Sequence, residues 1–297
     1  MAQSESFFLK LHYETTNRQN PMKKLAISIL AVIPFVFLFN SCKQKSIDFD
    51  KVDYKKVVRS PLAKDTAMGH CSVDIQLLYP AKFSDKDVLA KVQQQIITYC
   101  FDSTYAKYAG KQAVDVFAKS TFDNYTDFIN TALKANKDNI NNRLVFHNEI
   151  WRMNTVILYN DKDILSYELD RYSETGGAHG TESTQYLVFD LNTGKKLTQH
   201  DIFEEGFEPK VADLLKKQIM ADKGFENEEQ MLNNGYFFAE NITPNGNFSV
   251  SEQGITFVFN PYEIAAYSLG QTEVTIPFQK LKSCLKKNSP IESLLHK

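Results

Sequence analysis

Cysteine is scarce in this chain, four among 297 residues, and no two stand as CxxC. A structural zinc site built on paired cysteines is therefore excluded. Histidine is also sparse, six residues with no pair spaced HxxxH, so the two-histidine metal site of carbohydrate deacetylases has no sequence basis. A Walker loop, a GxGxxG run and a GxSxG elbow are all missing. That removes phosphate-loop, dinucleotide and serine-elbow chemistry, and no cofactor or metal is expected. There is no excess of positive charge: 34 Lys and Arg face 36 Asp and Glu, a net charge of −2. With no basic stripe, nucleic acid is not an expected partner. Internal repeats and low-complexity segments are absent as well.

Long apolar runs are confined to one place. Leu25–Phe39 follows Lys23 and Lys24, and its length suits the apolar core of a signal peptide better than a membrane span. Residues 1–41 are read as signal sequence, with Met22 as the expected true start. The run closes on Leu38-Phe39-Asn40-Ser41-Cys42, which resembles the lipobox of bacterial lipoproteins. The resemblance implies that Cys42 is lipidated, becomes the N-terminus and anchors the protein to a membrane outside the cytoplasm. Cleavage would leave 30 basic against 34 acidic residues. Residues 42–68 are charged and carry Pro61, and read as a tether. Cys71, Cys100 and Cys284 remain, either as one disulfide plus a thiol or as three buried free thiols, and their spacing does not choose.

The remainder predicts an α+β fold, mainly antiparallel sheet with a few amphipathic helices packed on it, in two interlocked subdomains, 69–172 and 173–297. Cys71, Val73, Ile75 and Leu77 alternate with polar residues as a strand that Pro80 should stop. Ser84 and Asp87 suggest a capping box before a helix on Val88, Val92 and Ile96. A second helix is expected from about Thr121 to Lys134. Tyr105 to Phe117 reads as a loop or short strand. Trp151, Met153, Thr155, Ile157 and Tyr159 share one strand face, with a turn at Asp161-Lys162 into the next strand. Gly176, Gly177 and Gly180 flank His179 in a GGAHG turn, a cluster that marks positive φ or close approach of backbone. Pro209 should open a helix, and Gly254 should sit in the turn of a final hairpin.

The segment Phe259–Leu281, FNPYEIAAYSLGQTEVTIPFQKL, resembles the signature of a bacterial extracytoplasmic domain of unknown function. Asn260, Pro261, Tyr262, Glu263, Ala265, Tyr267 and Gly270 match it, as do Gly176, Gly177, His179 and Gly180 upstream. Ala266 replaces a usual proline and Phe278 a usual tyrosine. The same domain forms the ectodomain of RsiV-type anti-sigma factors, which bind lysozyme. Residues 69–172 are similar to the non-catalytic domain that precedes the catalytic part of PdaC-type peptidoglycan deacetylases. The resemblance implies an envelope binding module whose partner is a lysozyme-like protein or peptidoglycan. A peptidoglycan-acting hydrolase or esterase, and an envelope scaffold, are the alternatives.

Two readings stand for each candidate site. His179 is either presented on a rigid turn to a ligand or hydrogen-bonded to local backbone. No catalytic partner sits at motif spacing, so no catalytic residue is assigned. Tyr262, Glu263 and Tyr267 either line a groove or fix a turn. Thr121-Phe122-Asp123-Asn124 is superficially like the first deacetylase motif, but Phe122 falls on an apolar helix stripe. Glu204-Glu205 and Glu228-Glu229 read as solvated surface.

Overall fold

The computed structural model describes residues 46–60, 69–135, 147–177, 179–237 and 239–295, and among these the strands form two sheets. The larger has six strands, β1 (Asp48–Arg59), β2 (His70–Lys82), β3 (Glu149–Asp161), β4 (Ile164–Glu174), β5 (Thr181–Asp190) and β6 (Lys195–Lys196), in that order. Helices α1 (Lys86–Cys100) and α2 (Gly110–Ala135) lie between β2 and β3 in the chain, and this crossover makes the β2–β3 pair parallel. The other pairings are antiparallel. After β6 come α3 (Gln199–Ile202), α4 (Glu208–Lys223) and α5 (Glu228–Asn233). The smaller antiparallel sheet follows, β7 (Phe248–Ser251), β8 (Gly254–Phe259) and β9 (Thr272–Ile276), and then α6 (Phe278–Leu281). The expected α+β class is observed.

Period-two alternation on β4 and β5 explains why the two halves interlock. Leu165, Tyr167, Leu169, Leu187 and Phe189 bury against the α1–α2 side. Ile164 and Val188 belong instead to the core of the small sheet and α4. On that same face the Ser166 hydroxyl donates to Val250 O at 2.6 Å and accepts from Val250 N at 3.0 Å. One strand pair thus serves two cores, and the 172/173 boundary falls inside β4.

Among the described residues the first half of β5 has no strand beyond it, because β6 pairs only with Phe189 and Asp190. Two asparagine side chains close that edge. Asn260 accepts from Thr184 N at 2.7 Å and donates to Thr184 O at 3.2 Å. Asn247 accepts from Tyr186 N at 2.7 Å and donates to Thr184 O at 2.8 Å. A primary amide carries one acceptor and two donors, so it can replace a strand's backbone at a single point.

Several elements differ from expectation. The stretch read as a tether contains β1, paired with β2 along its whole length, so the fold begins by Ile47 and not at Gly69. The charges that hid β1 are those of an edge strand, where they discourage pairing with other chains. β2 runs past Pro80, which lies where the β1–β2 register shifts. Asp85, not Ser84, caps α1 through Asp87 N and Val88 N. α2 begins at Gly110 and absorbs Phe117, and a Cβ on Gly110 would overlap the Tyr79 ring. Tyr159 leaves the face of Ile157 because a register shift between them turns it to the opposite core. The β3–β4 turn centres on Lys162 and Asp163, both at positive φ as a two-residue hairpin requires. Cys71, Cys100 and Cys284 are buried free thiols, and burial pushes the first two up to about 12, which leaves them unreactive near neutral pH. Residues 1–45 and 61–68, and with them Cys42, lie outside the described residues.

Candidate functional site: an aromatic ridge beside a polar groove

The glycines of the GGAHG turn answer to close approach. Gly176 has φ of +92° and faces the His147 ring, and Gly180 faces the Tyr172 hydroxyl; a Cβ at either position would overlap its neighbour. Gly177 meets nothing tight. This turn brings His179 onto Tyr267, with ring centroids 4.6 Å apart and an interplanar angle of 29°. Tyr267 lies in turn 5.4 Å from Tyr262 at 30°. Its hydroxyl donates to Gly180 O at 3.4 Å, which ties the two turns together. Three rings therefore form one ridge, and Tyr262 at its end is 58% exposed.

His179 is held by Gly180 O, 2.8 Å from Nδ1. A carbonyl only accepts, so Nδ1 carries the proton and Nε2 is left as the open nitrogen. No carboxylate or nucleophile pairs with it among the described residues, so the local-backbone reading holds for Nδ1 while the ring faces outward. Glu263 does not join the ridge. It accepts from Asn245 Nδ2 at 2.8 Å and from Asn260 Nδ2 at 3.3 Å, and so fastens a turn in which Tyr262 sits at φ of +71°.

Beside the ridge lies a groove of about 620 Å³, floored by the face of the large sheet that α1 and α2 do not cover. Each of β2, β3, β4 and β5 turns two alternate side chains to it: Asp74 and Gln76, Arg152 and Asn154, Asp170 and Tyr172, Glu182 and Thr184. Asn260 and Gln271 line it from the segments flanking the ridge. Tyr172, packed against Gly180, joins groove to ridge. Arg152 lies over the Tyr172 ring at 5.2 Å, and Tyr172 donates to Glu174 at 3.1 Å. Lys55 neutralises Asp74 at 2.6 Å. Thr184 Oγ1 lies 2.7 Å from both Asp170 Oδ1 and Gln271 Oε1. Behind Asp170, burial, a hydrogen bond to Asp170 and repulsion from Asp170 and Glu273 push Glu168 up to about 7.

The groove escaped sequence reading, although its signal was present. Asp74 and Gln76, like Arg152 and Asn154, are the polar half of strand alternations whose apolar half marked the core. Only pairing order places those polar halves side by side. Among the described residues no group of three or more His, Cys, Asp or Glu forms a metal site. The TFDN stretch is structural: Phe122 is buried in α2 and Asp123 pairs with Lys119. Glu204, Glu205, Glu228 and Glu229 are exposed, and Glu228 pairs with Lys216 at 3.6 Å.

Residues 67–182 match a family model described as deacetylase PdaC, and residues 200–279 match one described as a protein of unknown function, DUF3298. Both domain types are therefore present. The GGAHG turn falls in the first match and Asn260–Gly270 in the second, so the ridge is built from both. A crystal structure of a DUF3298 family member from Bacteroides fragilis is similar over 85% of this chain and 99% of that one, at 27% identity and a TM-score of 0.73. A DUF3298 family protein from Pseudomonas aeruginosa is similar over 81% of this chain and 95% of that one, at 17% identity and a TM-score of 0.53, a likeness of fold alone. No curated protein matches.

Proposed function

We propose that this chain is a lipid-anchored protein of the cell envelope that binds a glycan across the ridge and groove. The observation that carries the reading is the stacked His179–Tyr267–Tyr262 ridge running beside a groove of planar amide, carboxylate and guanidinium groups. Sugar rings present C–H faces that lie on aromatic rings, and hydroxyl edges that planar polar groups take in pairs. One feature favours a second reading, a lysozyme-like protein partner: Tyr262 and Leu269, in the segment that carries Tyr267, are 58% and 43% exposed, as a protein contact would use them.

Calorimetric titration of the full chain with peptidoglycan fragments, and separately with lysozyme, decides between the two. Tyr267→Ala should weaken glycan binding about tenfold, in the range of losing one stacked anchor. Its melting temperature should fall by about a few degrees, the cost of the bond to Gly180 and the ring contacts, so affinity is compared per folded molecule. Binding to lysozyme alone would replace the glycan reading. Turnover of the glycan that His179→Ala removes in a folded protein would replace binding with catalysis.

The address rests on the apolar run before Cys42. Labelled palmitate should be incorporated into the protein in cells, and Cys42→Ala should remove both the label and membrane association. Label persisting in the variant would end the lipoprotein reading.

A further inference from the structure

Two arginines flank the groove floor on opposite faces of the sheet, Arg152 on the groove side and Arg171 on the side of α1. Arg152 on β3 is opposite Tyr172 on β4, and Arg171 precedes Tyr172, opposite Met153. Among the described residues neither makes an ion pair with a carboxylate. Arg171 donates one Nη1 hydrogen to Tyr99 O at 3.0 Å. Arg152 is exposed and rests on the Tyr172 ring, which orients the guanidinium plane without using its edge donors. Tyr172 is itself fixed by Glu174 and Gly180, so Arg152 has a prepared seat. Both arginines also line a second, smaller cavity of about 220 Å³, walled by Phe101, Phe117 and Trp151. They therefore stand where a polar groove and an aromatic recess share a border.

The charges nearby are accounted for in part. Asp74 is paired with Lys55, and Asp170 lies within hydrogen-bond distance of Thr184. Glu182, opposite Tyr172 on β5, and Asp170 make no ion pair among the described residues. Arg152, whose edge donors are left open, makes the β3–β4 end the anion-accepting end of the groove.

We propose that Arg152, seated on the Tyr172 ring, is a subsite for a carboxylate carried by the bound glycan, so that the groove selects acidic over neutral saccharides. The inference rests on the glycan reading above. A carboxylate matches the guanidinium fork with two parallel N–H···O bonds, a geometry that a hydroxyl or an ester cannot reproduce.

The test uses the full chain and three probes of similar length: an oligogalacturonate, its methyl ester, and a neutral chitooligosaccharide. Titration should show the acid binding at least tenfold more tightly than its ester, with an affinity that falls as salt rises. Arg152→Ala should remove that preference, lowering affinity for the acid to that for its ester and costing the acid far more than the neutral oligomer. Arg152→Lys, which keeps charge and loses the fork, should restore only part of it. Equal binding of acid and ester, or an acid preference unchanged in Arg152→Ala, overturns the subsite and leaves the glycan reading in place. Failure of all three saccharides to bind overturns the glycan reading, and the subsite with it.

Discussion

Asn247→Ala should lower the stability of the fold by about 3 kcal/mol, the cost of leaving buried backbone groups without partners. Asn247 is 8% exposed, and its amide accepts from Tyr186 N and donates to Thr184 O, both on the open edge of β5. Alanine fills neither role and admits little water, so a buried N–H and one bond to a carbonyl are lost together. The neighbouring Asn260 continues to hold Thr184 through both its N–H and its carbonyl, which limits the damage to this point of the edge. In urea the midpoint should fall with an unchanged slope, and the melting temperature should drop by about 6–12 °C for a domain of this size. Asn247→Asp, ionised at neutral pH, keeps the acceptor and loses the donor; protonated at low pH it regains an O–H for Thr184 O and should move toward wild type. A loss below 1 kcal/mol in Asn247→Ala would show that the β5 edge is held by other means.

Glu168→Gln should stabilise the protein at pH 8 by about 2 kcal/mol while changing little at pH 4.5. Glu168 lies half-buried on β4 where burial, first, and then Asp170 and Glu273 raise it from an ordinary value of 4.5 to about 7. A folded value above the unfolded one means that the folded state holds the proton between those two pH values. The stabilising contribution of that proton is full below about 4.5 and is lost as pH rises through 7. The whole shift corresponds to roughly 3 kcal/mol, and partial exposure of the site reduces it. Glutamine keeps a donor toward Asp170 and never ionises, so the loss should vanish from the variant. Urea titrations at pH 5, 6, 7 and 8 measure the effect directly. Parallel stability curves for the two proteins would mean that Glu168 ionises in the fold without penalty.

Both predictions concern the seam between the two sheets, which sequence patterns left unseen. Alternation identified β2, β3, β4 and β8 because each buries an apolar half, and the period of a buried strand is local information. β1 failed the same test. Its apolar residues Phe49, Val52, Tyr54 and Val58 sit among lysines and aspartates, and an edge strand buries too little to show a clean alternation. The start of α2 failed for a related reason. Gly110 reads as a breaker, and only the Tyr79 ring packed against it explains why glycine begins that helix.

For the site, the sequence determined which residues are unusual in their surroundings: the glycines around His179, and the Asn260–Gly270 turn with its two tyrosines. Backbone constraints such as close approach and a tight turn leave a mark in residue type, because few side chains satisfy them. Tertiary structure decided that these two turns meet, since His179 and Tyr267 are 88 positions apart in the chain and stack at 4.6 Å. It also decided that Glu263 fastens a turn, and that Arg152, Asn154, Asp170 and Tyr172 share one groove floor. Strand order and register are set by contacts between distant segments, and a polar residue on an outward strand face looks the same in the chain whether it meets solvent or a ligand.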